Sequence, residues 1–177
     1  MTRILVAYAS KHNSTAEIAR AVGAALCETD GLQVDIRSVE TVSDIAPYDA
    51  VVLGSAVYAG KWQDTAADFL RRYERELAQR PTWIFSSGPT GEGDPKALMH
   101  GWVLPEPLRP IAARIKPRDI AVFSGKLDPA DLTLFQRVLV KVVNASAFRL
   151  GDYRDWSMIR GWARGIAQAL QQQPAHA

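Results

Sequence analysis

Residues 10–15, Ser-Lys-His-Asn-Ser-Thr, gather three hydroxyls, an amide, an imidazole and an ammonium within six positions. Such groups suit an anion: hydroxyls and amides donate hydrogen bonds, and Lys11 adds positive charge. The run lies between two contrasting segments. Ile4 to Ala9 is apolar without a break, as a parallel strand reads when helices cover both of its faces. Beyond the run, Ile18, Ala19, Val22, Ala25 and Leu26 recur on one helical face. A strand end, a small polar loop and a helix N-terminus together make an anion site. The first helical N–H groups have no acceptor in the helix, and the dipole favours negative charge there. The expectation is a phosphate cradle of Ser10, Lys11, His12, Asn13, Ser14 and Thr15, acting mainly through backbone N–H groups. The run matches neither GxGxxG nor GxxxxGK[ST]. The alternative is that Asn13 or Ser14 only caps the helix.

Composition bounds the rest. At 177 residues with 47% apolar and 23% charged residues, the chain reads as one globular domain over 1–172, with a frayed tail at 173–177. A net charge of +2, from 21 basic and 19 acidic residues, gives no argument for nucleic acid. Cys27 stands alone, so neither a disulfide framework nor a cysteine metal motif is expected, and it reads as a small core residue of the first helix. The opening MTRILVAY is not built like a signal peptide, and no run approaches the ~20 apolar residues of a membrane span. The expected location is the cytoplasm.

Along the chain, strand and helix patterns alternate. A helix is expected over Asn13 to Cys27, ended by Asp30-Gly31. Leu32 to Val39 alternates, which suits an outer strand with one more solvated face. Ala50 to Leu53 is a third strand core that runs into Gly54 to Trp62. A helix follows with Ala66, Phe69, Leu70, Tyr73 and Leu77 at helical spacing, broken by Pro81. Trp83 to Phe85 and Ile120 to Phe123 read as the fourth and fifth strands, with a helix over Leu108 to Lys116 between them. The closing helix carries Trp156, Ile159, Ala163, Ile166 and Leu170, with Asp152 or Asp155 near its start. Alternation of this kind predicts an α/β fold with a parallel sheet and helices on both faces. The proline-rich stretch 94–117 either walls a site or braces the fold. His100 reads as solvent-facing.

Three strands end in small-residue loops: SKHNST, GSAVYAGKW and SSGPTGEG. In a doubly wound sheet, ligands bind beyond the carboxyl ends of the strands. Tyr58 and Trp62 beside glycines suit a flat ring, because glycine lets the backbone approach and an aromatic face stacks. A phosphate-bearing planar ligand is therefore expected. Ser55, Ala56, Val57, Tyr58, Ala59, Gly60, Lys61 and Trp62 would line one side of the ring. Ser86, Ser87, Gly88, Pro89, Thr90 and Gly91 would line the other. Lys61 reads either as a charge near the ring or as a solvated lysine.

These loops resemble those of flavodoxin-fold proteins, whose phosphate loop runs hydroxyl-x-hydroxyl-Gly-x-Thr. Ser10, Ser14 and Thr15 fit it, while His12 stands in place of a hydroxyl and Asn13 in place of glycine. Asn tolerates left-handed backbone. The resemblance spans almost the whole chain and implies a three-layer sandwich with a five-stranded parallel sheet in the order 2-1-3-4-5, and FMN as cofactor. Within that family, Tyr153 to Leu170 and Phe123 to Val143 resemble the flavodoxin-type, menaquinone-dependent protoporphyrinogen oxidases of bacteria, which carry an extra segment before the last helix. Here that segment is residues 126–150. The resemblance implies oxidation of a porphyrinogen with electrons passed to a quinone.

Within the extra segment, Leu132, Phe135, Leu139 and Val142 share a face, with Arg137 and Lys141 opposite. Residues 131–143 read either as a packed helix or as a peripheral membrane contact at the inner face of the cell membrane. No catalytic general base and no metal motif is found, which agrees with a flavin supplying the chemistry. Three alternatives to the oxidase remain: a flavodoxin-type electron carrier, an NAD(P)H-quinone reductase, and a non-enzymatic binding module of the same fold. The net charge of +2 speaks against the carrier, which is typically strongly acidic. Oligomeric state is not readable.

Overall fold

The computed structural model describes residues 1–128, 130 and 149–172. Strand β1 (Thr2–Ala9) leads into helix α1 (Ser14–Cys27), followed by strands β2 (Leu32–Ser38) and β3 (Ala50–Tyr58). β3 turns back into a two-residue strand, β4 (Lys61–Trp62), before helices α2 (Asp64–Arg72) and α3 (Glu74–Ala78). Then come β5 (Thr82–Ser87), a short helix α4 (Pro95–Leu98), α5 (Arg109–Ile115) and β6 (Asp119–Phe123). Two short strands, β7 (Lys126–Leu127) and β8 (Gly151–Asp152), pair antiparallel, and α6 (Trp156–Gln171) closes the described chain.

The five main strands are parallel in the order β2-β1-β3-β5-β6. This is the expected flavodoxin-like arrangement. β2 is the outer strand that its alternation predicts, with every residue at least partly exposed. The inner strands are nearly all buried, so they need helices on both faces. On one face α1 and α6 bring Ile18, Val22, Leu26, Ile159 and Ile166 against Ile4, Val6, Val52 and Phe85. On the other, α2, α3 and α5 bring Phe69, Leu70, Leu77 and Ile111 against Leu5, Val51, Leu53 and Ile84. Each such fully buried side chain contributes about 1.5–3 kcal/mol.

Several expectations are corrected in detail. β3 does not stop at Leu53 but continues through Gly54–Tyr58. The chain then reverses through Ala59 (φ 49°) and Gly60 (φ 74°) into β4. Positive φ at both central residues is the type I′ form of a two-residue hairpin, and the sequence offers glycine at only one of them. The helix expected over 66–77 is split at Tyr73 (φ −104°, ψ 18°), although its apolar face continues across the break. Cys27 is exposed. It follows Arg20 and Ala24 around α1 on the solvent stripe, one step past the buried Leu26. The stretch 94–117 braces the fold: Leu104, Leu108 and Ile111 enter the core and Trp102 packs on it. His100 is exposed, as expected. Asp155 caps the closing helix, its carboxylate accepting from the Met158 N–H at 2.9 Å.

Gly54 lies inside β3 because the Phe85 ring occupies the space where a side chain would be. A Cβ at position 54 would fall 2.0–2.4 Å from three carbons of that ring. Phe85 cannot retreat easily, since it is fully buried and packs against Phe123 and Trp162. Gly54→Ala is therefore expected to destabilise the fold by about 2–3 kcal/mol, the cost of overpacking a rigid core, read as a lower urea midpoint.

Candidate functional site

Parallel pairing brings the carboxyl ends of the inner strands to one edge in register. Ala9 stands beside Ser55, Ala56 beside Ser87, and Ser87 beside Phe123. The loops leaving these ends surround a cleft lined by His12, Ser14, Thr15, Ala56, Val57, Tyr58, Ser87, Gly88, Thr90, Gly125, Lys126 and Leu127. All three loops named from the sequence contribute, together with a fourth.

The first loop has the geometry of an anion cradle. Asn13 takes φ 64°, the left-handed conformation that glycine usually supplies. It stands at the N-cap of α1, yet no side chain caps the helix, which removes the simple capping role considered above. The Ser14 N–H turns back to the His12 carbonyl (2.8 Å), and the first helical bond runs from the Glu17 N–H to the Asn13 carbonyl (3.0 Å). The N–H groups of Thr15 and Ala16 are left at the open helix end. The hydroxyl oxygens of Ser10 and Ser14 are buried without a hydrogen-bond partner among the described residues. Such groups are costly to leave unmet. His12, Ser14 and Thr15 (2% exposed) reach the cleft wall; Lys11 and Asn13 are exposed beside it.

The second loop divides. Ala56, Val57 and Tyr58 line the cleft. Tyr58 is 38% exposed, with the His12 ring edge-on at 6.1 Å and Lys11 Nζ 6.0 Å from its ring centre. Ser55 is turned inward, its hydroxyl donating to the Ala56 carbonyl and accepting from the Gln63 N–H. Trp62 is 5% exposed and belongs to the core. Its indole N–H donates to Ser86 Oγ at 2.9 Å, and Ser86 in turn donates to the Val103 carbonyl. The alternation across β4 turns Trp62 inward, so Tyr58 is the one of the two expected stacking rings that stands at the cleft. Ala59 and Gly60 form the exposed turn, and Lys61 is exposed opposite Tyr58.

In the third loop Ser87, Gly88 and Thr90 line the cleft; Ser86 is spent on Trp62, and Gly91 is buried. The Pro89 carbonyl accepts from the Gly125 N–H (2.8 Å), and the Gly88 N–H donates to the Phe123 carbonyl (3.2 Å). These bonds join the third loop to the fourth, Gly125–Leu127, which the sequence reading left out of the site. Its signal was present in Ser124-Gly125, another small-residue strand end.

The extra segment leaves and returns at this cleft. It departs through Lys126 and Leu127 in the cleft wall and comes back at Arg149, whose N–H donates to the Thr90 carbonyl (2.8 Å) and hydroxyl (3.0 Å). β8 then pairs with β7. Residues 131–143, read above as a helix, lie outside the described residues. Past β8, the Arg154 side chain (4% exposed) pairs with Asp152 and with Glu17 in the first turn of α1, and its guanidinium lies 4.6 Å from the Trp156 ring. It also donates to the Ser14 carbonyl at 3.5 Å. No local pattern marks this clamp, because Arg154 and Glu17 are 137 positions apart.

The clamp shifts its own charges. The hydrogen bond from Arg154 holds the Asp152 carboxyl below the usual carboxylate range, and the same bond raises the guanidinium further. The resulting stabilisation is complete above the unfolded Asp value of about 3.9 and fades as pH falls through the lower folded value. Asp152 is 41% exposed, so solvent screening keeps the effect small. Arg154→Gln is expected to lower stability at neutral pH and to flatten the loss as pH falls below about 4. Urea midpoints across that range check both effects.

A family model described as a flavodoxin domain matches residues 5–151. No curated protein matches the chain. Among solved structures, a flavodoxin from the domain Archaea superposes with a TM-score of 0.61 at 14% identity, over 97% of this chain and 100% of its own. A flavodoxin from Streptococcus pneumoniae TIGR4 gives 0.59 at 18% identity, over 95% and 99%. The rubredoxin oxygen:oxidoreductase of Desulfovibrio gigas gives 0.60 at 17% identity, covering 96% of this chain and 36% of that one. At these identities the likeness is one of fold.

Proposed function

Because the chain belongs to the flavodoxin-domain family, whose cofactor is FMN, we propose that it is an FMN-dependent oxidoreductase of the protoporphyrinogen-oxidising type that delivers electrons to a quinone. The residues present fit the cofactor. The partnerless hydroxyls of Ser10 and Ser14, the left-handed Asn13 and the open first turn of α1 suit its phosphate. Gly88 lets the third loop pack tightly against the second beside the cleft, since a Cβ there would meet the Val57 Cβ at 2.9 Å. Tyr58 offers an exposed aromatic face. FMN, when bound, supplies the electron chemistry; the protein holds its phosphate, flanks its ring and limits access of water.

The observation that carries the finer reading is the rooting of the extra segment in the cleft wall at Lys126–Leu127 and Arg149. An insertion that begins and ends at the ring site belongs to substrate handling more readily than to docking elsewhere. The resemblance of Phe123–Val143 and Tyr153–Leu170 to the protoporphyrinogen oxidases supports the same reading. Peripheral contact with a quinone-bearing membrane through 131–143 is part of it. Among the described residues no helix is long and apolar enough to cross a membrane. The second reading is an electron carrier, favoured by full-length superposition on flavodoxins.

The test is anaerobic incubation of the FMN-loaded protein with protoporphyrinogen and a menaquinone analogue. Each two-electron, two-proton oxidation of the ring should reduce one quinone to quinol, followed by porphyrin fluorescence. Failure with several quinones would favour the carrier. Thr15→Asp tests the cradle. Aspartate in a first helical turn suits the dipole, so the helix should persist, while its charge against the phosphate should weaken FMN binding by at least about tenfold. Unchanged FMN affinity would place the phosphate elsewhere.

A further inference from the structure

We infer that Arg154, although it does not line the cleft, is a positioning residue for the cofactor: it sets the charge and the placement of the first turn of α1, where the FMN phosphate is held. This rests on the FMN reading above and deepens it, by tying the grip on the phosphate to the chain that returns from the extra segment. The Arg154 Nε and Nη2 donate to the two carboxylate oxygens of Asp152, a fork that fixes the plane of the guanidinium. That leaves Nη1 for α1. It donates to the Glu17 carboxylate and, at 3.5 Å, to the Ser14 carbonyl. The Trp156 ring covers the guanidinium at 4.6 Å, and the side chain is 4% exposed. Asp152 is held in turn, because β8 pairs with β7 and the Tyr153 N–H donates to the Gly125 carbonyl at 3.1 Å. Gly125 and Lys126 both belong to the cleft wall. Arg154 thus joins that wall to the helix end at Ser14.

Glu17 makes the arginine necessary. It is acidic and lies in the first turn of α1. A carboxylate there suits the helix dipole, but it opposes a phosphate at the same end. One guanidinium and two carboxylates leave the clamp with a single net negative charge; without the guanidinium it carries two. The loss of Arg154 therefore acts on the phosphate twice, by removing a cation and by leaving Glu17 without this partner. It also frees the Ser14 carbonyl, and Ser14 carries one of the two partnerless hydroxyls of the cradle. A second pair between the closing chain and α1 marks the contrast. Arg164 meets Glu28 just past the other end of that helix, at 3.2 Å, with both side chains more than half exposed. Such a pair contributes little. The pair at the cradle end is buried on its arginine side and links three separate stretches of chain.

The test titrates the flavin-free protein with FMN and with riboflavin, which lacks the phosphate, by flavin fluorescence. Arg154→Gln should weaken FMN by about fivefold or more, with the loss shrinking as salt is raised, and should leave riboflavin within about twofold. Adding Glu17→Gln restores the net charge of the clamp and should return FMN affinity to near its original value. Glu17→Gln alone should tighten FMN and leave riboflavin unchanged; Glu17 is 42% exposed, so this variant keeps the fold and decides the matter even where Arg154→Gln unfolds. Arg164→Gln removes the same charge from the pair at the far end of α1 and should change neither affinity. A merely structural role for Arg154 would weaken both flavins and would not be rescued by Glu17→Gln. Equal losses for FMN and riboflavin, no rescue in the double variant, or unchanged FMN affinity in Glu17→Gln would each overturn the inference. Equal binding of the two flavins by the unaltered protein would overturn the FMN cradle itself, which separates failure of the functional reading from failure at Arg154.

Discussion

Everything at the candidate site depends on one helix beginning without a cap. α1 starts at Ser14 with left-handed Asn13 before it, no side chain closing its first turn, and two serine hydroxyls buried beside it without partners. Such an end is a cost in an empty protein and an asset beside an anion. The rest of the fold keeps it in place. Residue-by-residue pairing of β1 with β2 and β3 fixes the strand that feeds it, and α6 packs beside it in the same core. Arg154 ties its first turn to the chain returning from the extra segment and neutralises Glu17, the one carboxylate in that turn. With Glu17 engaged, a phosphate at the helix end meets less opposing charge.

The same edge of the sheet shapes the rest of the cleft. Parallel strands deliver all of their carboxyl ends to one side, so loops far apart in sequence meet without long excursions. The backbone bonds from Gly88 to Phe123 and from Gly125 to Pro89 lock the third and fourth loops together. That lock holds the departing and returning ends of the extra segment against the cleft. The ends of that segment therefore meet the cleft on different loops from the open end of α1.

Much of this was legible in the sequence. Unbroken apolar runs such as Ile4–Ala9 report burial on both faces, and from that follow parallel pairing and the alternation with helices. Asn13 was readable because few residues other than glycine accept left-handed backbone. What was not legible depends on distant pairs. Trp62 looked like a ring to stack on a ligand, and only its pairing within a hairpin shows that it faces the core and holds Ser86. The hairpin itself was hidden by Ala59 in a position that favours glycine or asparagine. The contacts of Arg154 and Arg149 join residues 137 and 59 positions away, beyond any local pattern. Cys27 was misplaced by a single step around α1.

The most direct measurement is a parallel titration of the flavin-free protein with FMN and with riboflavin, which differ only in the phosphate. Charge-assisted hydrogen bonds from an open helix end and two serines should favour FMN by about a hundredfold or more. Equal affinity for the two, or riboflavin bound more tightly, would contradict a phosphate cradle at Ser10–Thr15.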